Sequence, residues 1–226
     1  MANVVMLLGK SGTGKSTSIK NLDPKETMVF NVLKKRLPFK GSSGMYNETN
    51  KNMYLLDDYK EIIKYLIGVS EKRQDIKNII LDDLVYVMRK EYFDKATVAG
   101  YSKYTELAQH FQQIIKTCEG LRDDINVFIV MHSEDVMSDN TVKEYKVSTV
   151  GKLVDSTYNP MEVVPMVLYS DVHYDDKGNA TYGFYTHRQV VNGTIIPAKT
   201  PDGMFSEDFI ANDLQLVIKA MNEYYG

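Results

Sequence analysis

A mainly parallel α/β sheet flanked by helices is the architecture this sequence predicts, and three observations carry it. Apolar runs at 3–8, 27–32, 52–56, 77–82 and 126–131 are continuous rather than alternating, as strands covered on both faces require. Stripes with helical spacing lie between them. The first run leads directly into a glycine-rich turn followed by a helix start.

Along the chain, Tyr59, Ile62, Ile63, Leu66 and Ile67 recur at i, i+3, i+4, i+7 and predict one amphipathic helix. Leu107, Ala108, Phe111, Ile114, Ile115, Cys118 and Leu121 predict a longer one. Strands alternating with helices give the parallel sheet. After residue 160 the texture changes. Segments 163–174 and 180–187 flank Asp175-Asp176-Lys177-Gly178-Asn179 and predict an antiparallel hairpin. A loop is expected at 192–203 and a closing helix at 209–225.

The chain has 226 residues, 43% hydrophobic and 25% charged, enough for one sizeable core. No repeat or linker divides it, so one domain is expected over 1–226, with a core at 1–160 and the hairpin, loop and helix at 161–226. Lys+Arg number 27 against 30 Asp+Glu, a net charge of −3, which excludes a globally basic nucleic-acid coat but not a local basic loop. A lone cysteine, Cys118, makes no internal disulfide, and its apolar stripe predicts an inert core thiol. No run reaches the ~18 apolar residues of a membrane helix, and the first residues lack the basic start of a signal peptide. A cytoplasmic protein of a reducing compartment is expected. The sixteen tyrosines, with no tryptophan, are expected mainly in core packing.

The chemistry is carried by Gly9-Lys10-Ser11-Gly12-Thr13-Gly14-Lys15-Ser16, a full G-x-x-x-x-G-K-S phosphate-binding loop. Its glycines let backbone N–H groups close on phosphate oxygens, and the helix start adds positive partial charge. Lys15 is expected to neutralise the β- and γ-phosphates of ATP, Ser16 to ligate Mg²⁺, and Thr17 to add a phosphate contact. Such a loop calls for an acid at the end of a neighbouring strand. Asp82 answers it as the second metal-side group, although an Asp there also suits a helix N-cap. Asp83 is a candidate to orient or deprotonate the attacking water. Asp57 and Asp58 compete for that role if their strand lies beside the first strand; N-capping is their other reading. His132 follows the run 126–131, where a polar group faces the ligand crevice, and is a candidate γ-phosphate sensor; a structural histidine is its other reading.

Together with Leu37-Pro38-Phe39-Lys40-Gly41, Ile80-Leu81-Asp82-Asp83, His132-Ser133-Glu134, Gly151-Lys152-Leu153 and Gly203-Met204-Phe205, the loop resembles a bacteriophage family of RecA-like ATP-binding proteins, close to the Sak4-type single-strand annealing proteins. The likeness runs over nearly the whole chain. It implies a RecA-like P-loop fold, ATP with Mg²⁺, ATP hydrolysis, single-stranded DNA as a partner in recombination or replication, and a homo-oligomeric ring or filament. It raises Asp57 or Asp58 as the base, although Glu is usual there. The readings that remain open are a nucleotide-switched DNA-binding module with little hydrolysis and, less favoured for want of an Arg-rich lid, a small-molecule kinase.

In such an arrangement the loops 94–103 and 135–152 face the oligomer axis. The first carries Lys95, Tyr101, Lys103 and Tyr104, and the second Lys143, Tyr145, Lys146 and Lys152; with a charge of only +1 over 137–152, a solvated loop is the second one's other reading. Residues 34–40 form the densest basic patch, either a track for phosphates or an exposed turn. Arg188 and Lys199 are candidates for a cation inserted into a neighbour's ATP site.

Overall fold

The computed structural model describes residues 1–151 and 158–226. Each continuous apolar run becomes a strand of one sheet: β1 (Asn3–Gly9), β2 (Thr27–Asn31), β3 (Met53–Tyr54), β4 (Asn78–Asp82) and β5 (Asn126–Ser138). They lie in the order β1-β5-β4-β2-β3 and all pair in parallel. Side chains alternate between two buried layers, as the period of two dictates. Val4, Met6 and Leu8 face one core; Val5 and Leu7 face the other.

The first core is covered by α2 (Tyr59–Lys72), α3 (Val85–Asp94) and α4 (Ser102–Glu119), which follow the four-residue α1 (Ser42–Met45) in the chain. Ile62 and Leu66 of α2 pack there with Leu107, Phe111, Ile114 and Ile115 of α4. Cys118 is fully buried on the same stripe, and burial pushes its thiol well above the usual range, so it is an inert core thiol. Ile67, predicted on the apolar stripe of α2, is 43% exposed, because the buried face is completed by Val69 instead.

The second core is covered by a 3-10 helix, Lys15–Asn21, and by the C-terminal helix. α5 (Pro160–Val163) precedes β7 (Met166–Tyr174), which joins the sheet parallel to β1 on the side away from β5. β8 (Ala180–Tyr185) then pairs antiparallel with β7 as the predicted hairpin, and β11 (Phe209–Ala211) pairs antiparallel with β8. The predicted helix at 209–225 is therefore shorter. Its first residues form β11, and Asp213 caps α6 (Leu214–Tyr225) by accepting from Gln215 N.

Two further corrections concern predicted loops. The described part of 135–152 is mostly a β-hairpin: β5 runs on past His132 and turns back through Asp139-Asn140 into β6 (Thr141–Val147). Likewise 192–203 contains β10 (Thr194–Ile196), joined to β9 (Gln189–Val191) through Asn192-Gly193 and parallel to β6. All four turn residues have positive φ, between 50° and 79°, the geometry of tight two-residue hairpin turns. The dipeptides Asp-Asn and Asn-Gly are the signals that could have found both hairpins.

Candidate functional site

The carboxyl ends of β1 and β4 and the middle of β5 open into a cleft of about 1320 Å³, the crevice position expected in a parallel sheet. Lys10, Ser11, Gly12, Gly14, Lys15, Ser16 and Thr17 line it, facing Asp82, Asp83 and His132. Gly9 and Thr13 hold the loop from behind. A Cβ on Gly9 would come within 2.6 Å of the Ser170 carbonyl oxygen on β7. The Thr13 carbonyl accepts from Ser170 Oγ at 2.7 Å. Gly12 and Gly14 have φ of 83° and 93°, which side-chain-bearing residues rarely adopt.

Lys15 is only 5% exposed. Its ammonium donates to the carbonyls of Gly9 at 2.8 Å and Lys10 at 2.6 Å. Burial lowers its pKa to about 8 despite the opposing pull of Asp83 and Asp82. Ser16 Oγ donates to Asp82 Oδ1 at 2.7 Å. Desolvation raises Asp82 to about 6, with the Ser16 hydrogen bond opposing it. A hydroxyl and a carboxylate in contact are hard oxygen donors, the set that magnesium takes alongside phosphates and water. Ser16 and Asp82 therefore fit that ion. Among the described residues, no group of three or more His, Cys, Asp or Glu side chains forms an all-protein metal cage, which magnesium does not require.

Asp83 follows β4 with φ of 60°, a left-handed conformation that short polar side chains tolerate. The turn aims its carboxylate across the cleft, where His132 Nε2 lies 3.0 Å from Oδ1. Burial alone would raise the Asp83 pKa. The hydrogen bond and charge of His132, with the charges of Lys35 and Lys15, outweigh it and hold the carboxyl below its usual range. His132 stands beside Gly9 because β5 pairs with β1 in that register. The structure thus brings Lys15, Ser16, Asp82, Asp83 and His132 together.

Asp57 and Asp58 are not brought there. Their strand, β3, is at the edge of the sheet, separated from β1 by β2, β4 and β5, so the condition for their catalytic reading is not met. Asp57 pairs with Lys34 at 2.9 Å. Asp58 caps α2, accepting from Lys60 N and Glu61 N. Arg188 is exposed and does not line the cleft. Lys199 is tied to its own chain, pairing with Val167 through the backbone and donating from Nζ to the Glu162 carbonyl at 3.1 Å. In the segment 94–103, Lys95 is engaged by Glu91 at 2.9 Å and by Glu106. Lys103 and Tyr104 belong to the first turn of α4 rather than to a loop. Lys152 lies outside the described residues.

Several cleft residues escaped the sequence reading. Tyr182 and Asn212 reach it from β8 and the turn after β11, and Asn212 Nδ2 donates to the Gly14 carbonyl at 3.1 Å. Tyr86 and Arg89 reach it from α3. Lys35 and Arg36 belong to the basic patch 34–40 and were legible as cations, but not as cleft residues.

A phosphate-binding loop on the central strand, an acid ending a strand two places away and a polar side chain on the strand between them define a RecA-like P-loop NTPase fold. The AAA_24 model, an AAA domain, matches residues 1–200, and the chain belongs to this family of nucleotide-binding ATPases. No curated protein matches it. Among the described residues, no helix is long and apolar enough to cross a membrane.

Proposed function

We propose that the protein hydrolyses ATP with Mg²⁺ and couples turnover to single-stranded DNA in an oligomer of the recombination type, in keeping with its resemblance to the phage Sak4-type proteins. One observation carries the hydrolytic reading: Ser16 and Asp82 touch at 2.7 Å while Asp83, bonded to His132 at 3.0 Å, stands one residue further on. One carboxylate is then left for the metal side and the other for the water, an arrangement that suits hydrolysis. Ser16 and Asp82 would hold the magnesium ion, which would draw off phosphate charge as the reaction proceeds. Lys15 leaves the loop carbonyls for the phosphates. Asp83, held ionised, accepts a hydrogen bond from the attacking water and orients it. The water oxygen bonds to the γ-phosphorus as the bond to the ADP oxygen breaks, giving ADP, phosphate and a proton. His132 contacts both the carboxylate and, through β5, the hairpin beyond it.

The DNA reading rests on the surface where α3 meets α4. Phe93 and Tyr101 are 72% and 88% exposed. They adjoin Tyr92 and Tyr104, whose ring centroids lie 5.8 Å apart, and Lys103 Nζ sits 5.5 Å from the Tyr92 ring. Exposed aromatic rings beside a cation suit stacked bases and their phosphates. With one cation per chain at this surface, binding should weaken as salt rises, and both the affinity and that salt dependence should grow with the number of copies assembled. Phosphate release measured without DNA and with single- and double-stranded DNA, at fixed salt, tests this reading. Single strands are expected to stimulate release, and the double variant Phe93→Ala/Tyr101→Ala to lose that stimulation. Indifference to every DNA would overturn the coupling and leave a nucleotide-switched protein of another kind.

A further inference from the structure

The basic segment after β2 is built rather than loose. Asn31, buried at the end of β2 and in register with Asp82, donates from its amide to the Lys35 carbonyl and accepts from Lys35 N at 3.2 Å. Leu37 is buried two residues on, and Ser42 Oγ donates to its carbonyl at 2.9 Å. Between these anchors the backbone turns through a left-handed Lys34, φ 57°. The turn separates the neighbouring cations: Lys34 goes to Asp57, whereas Lys35 points into the cleft.

There Lys35 Nζ lies 3.9 Å from Asp83 Oδ2 and 5.8 Å from the centre of the Tyr86 ring. That distance is long for an ion pair, the lysine side chain is 67% exposed, and the same carboxylate already holds His132 at 3.0 Å. A pair of this kind adds little to stability. Arg36 lines the same cleft and makes no ion pair among the described residues. Two other cations of the cleft are committed, whereas Lys20, at the end of the 3-10 helix, is exposed. Lys10 is held by Asp135 at 2.9 Å, and Arg89 donates to Ser148 at 3.1 Å while lying over Tyr86.

We propose that Lys35 is the catalytic cation that contacts the transferred phosphoryl group, supplied in cis by the chain that holds the phosphate-binding loop. This rests on the hydrolytic reading above. As the water oxygen bonds to the γ-phosphorus and the bond to ADP breaks, negative charge spreads over the peripheral phosphoryl oxygens and the leaving oxygen. Lys35, carried beside the water-orienting Asp83, neutralises that charge at the moment it develops. The proton lost by the water passes to solvent, and the products are ADP, phosphate and that proton.

The test compares wild type, Lys35→Met, Lys35→Arg and Lys34→Met in steady-state phosphate release and in binding of a fluorescent ATP analogue. Lys35→Met should lower kcat by about 10²-fold or more while the Kd of the analogue stays within about threefold. Lys35→Arg should recover part of the rate, and Lys34→Met should match wild type. Mixing Lys35→Met with Lys15→Ala chains should give only the sum of the two residual rates. Full turnover by Lys35→Met overturns the proposal, as does a loss of analogue binding that matches the loss of rate. Restored turnover in the mixture overturns the supply in cis. A wild type that binds the analogue but releases no phosphate with any DNA overturns the hydrolytic reading itself, and the proposal with it.

Discussion

Two Asp-Asp dipeptides lie between a parallel strand of this sheet and a helix close behind it, Asp57-Asp58 beyond β3 and Asp82-Asp83 at the end of β4. In chemistry and local context they are near twins. Their environments are opposite. Asp82 is buried against Ser16, Asp83 is turned toward His132, and both face the phosphate-binding loop. Asp58 spends its carboxylate on the N-terminus of α2, while Asp57 meets Lys34 at the edge of the sheet. The difference lies in strand order. β4 is two places from β1, across β5, and β3 is two places further out. A carboxylate's surroundings here are decided by which strand carries it, not by its neighbours in the chain.

The sharpest way to break that contrast is to neutralise the inner pair and the outer pair in parallel. Asp82→Asn should cut ATP turnover by about 10³-fold, because the metal-side carboxylate is lost, whereas Asp57→Asn should leave turnover within about twofold. Phosphate release at saturating ATP and Mg²⁺ checks both. Equal losses would mean that the edge strand serves the site after all. Asp83→Asn should cost less, about 10²-fold in kcat with little change in nucleotide Kd, since it removes a water-orienting group and leaves the phosphate contacts in place.

Titration sharpens the same contrast. Asp82, raised to about 6 by burial, must be ionised to serve a metal, so kcat/KM should climb as pH rises through that value. Lys15, lowered to about 8, must be protonated to hold phosphates, so kcat/KM should fall as pH passes it. A bell between these limits is expected; a flat profile from about pH 5 to about pH 9 would contradict the assignment of both groups. The sign for folding is separate. Because the folded-state pKa of Asp82 lies above the ordinary carboxylate value, its contribution to stability declines as pH rises from that value through about 6.

The smallest effect belongs to Asp58. Asp58→Ala should lower stability by about 1 kcal/mol through loss of the α2 cap and leave turnover unchanged. A urea titration beside the turnover assay measures the two together.

How much of this could be read in advance follows from range. The phosphate-binding loop was legible because its chemistry lies in eight consecutive residues, and the continuous apolar strands and the stripes of α2 and α4 were legible for the same reason. Asp57 and Asp58 were not separable from Asp82 and Asp83, since strand order depends on contacts far apart in sequence. The β5–β6 hairpin was hidden because its residues are polar on both faces and carry no clean alternation, although the Asp139-Asn140 turn marks it. Asn212 bonds a loop carbonyl 198 positions away, a distance no local pattern spans. Lys35 was visible as a charge; only the Asn31 clamp and the register of β2 with β4 aim it at the cleft.

The proposed ATP site depends above all on Lys15 and the loop around it. Its most direct test is phosphate release from Mg²⁺-ATP by wild type and Lys15→Ala, side by side with binding of a fluorescent ATP analogue. Wild type should turn over and bind, while Lys15→Ala should lose at least about 10²-fold in turnover and keep its fold by circular dichroism. Unchanged turnover in Lys15→Ala would contradict that site.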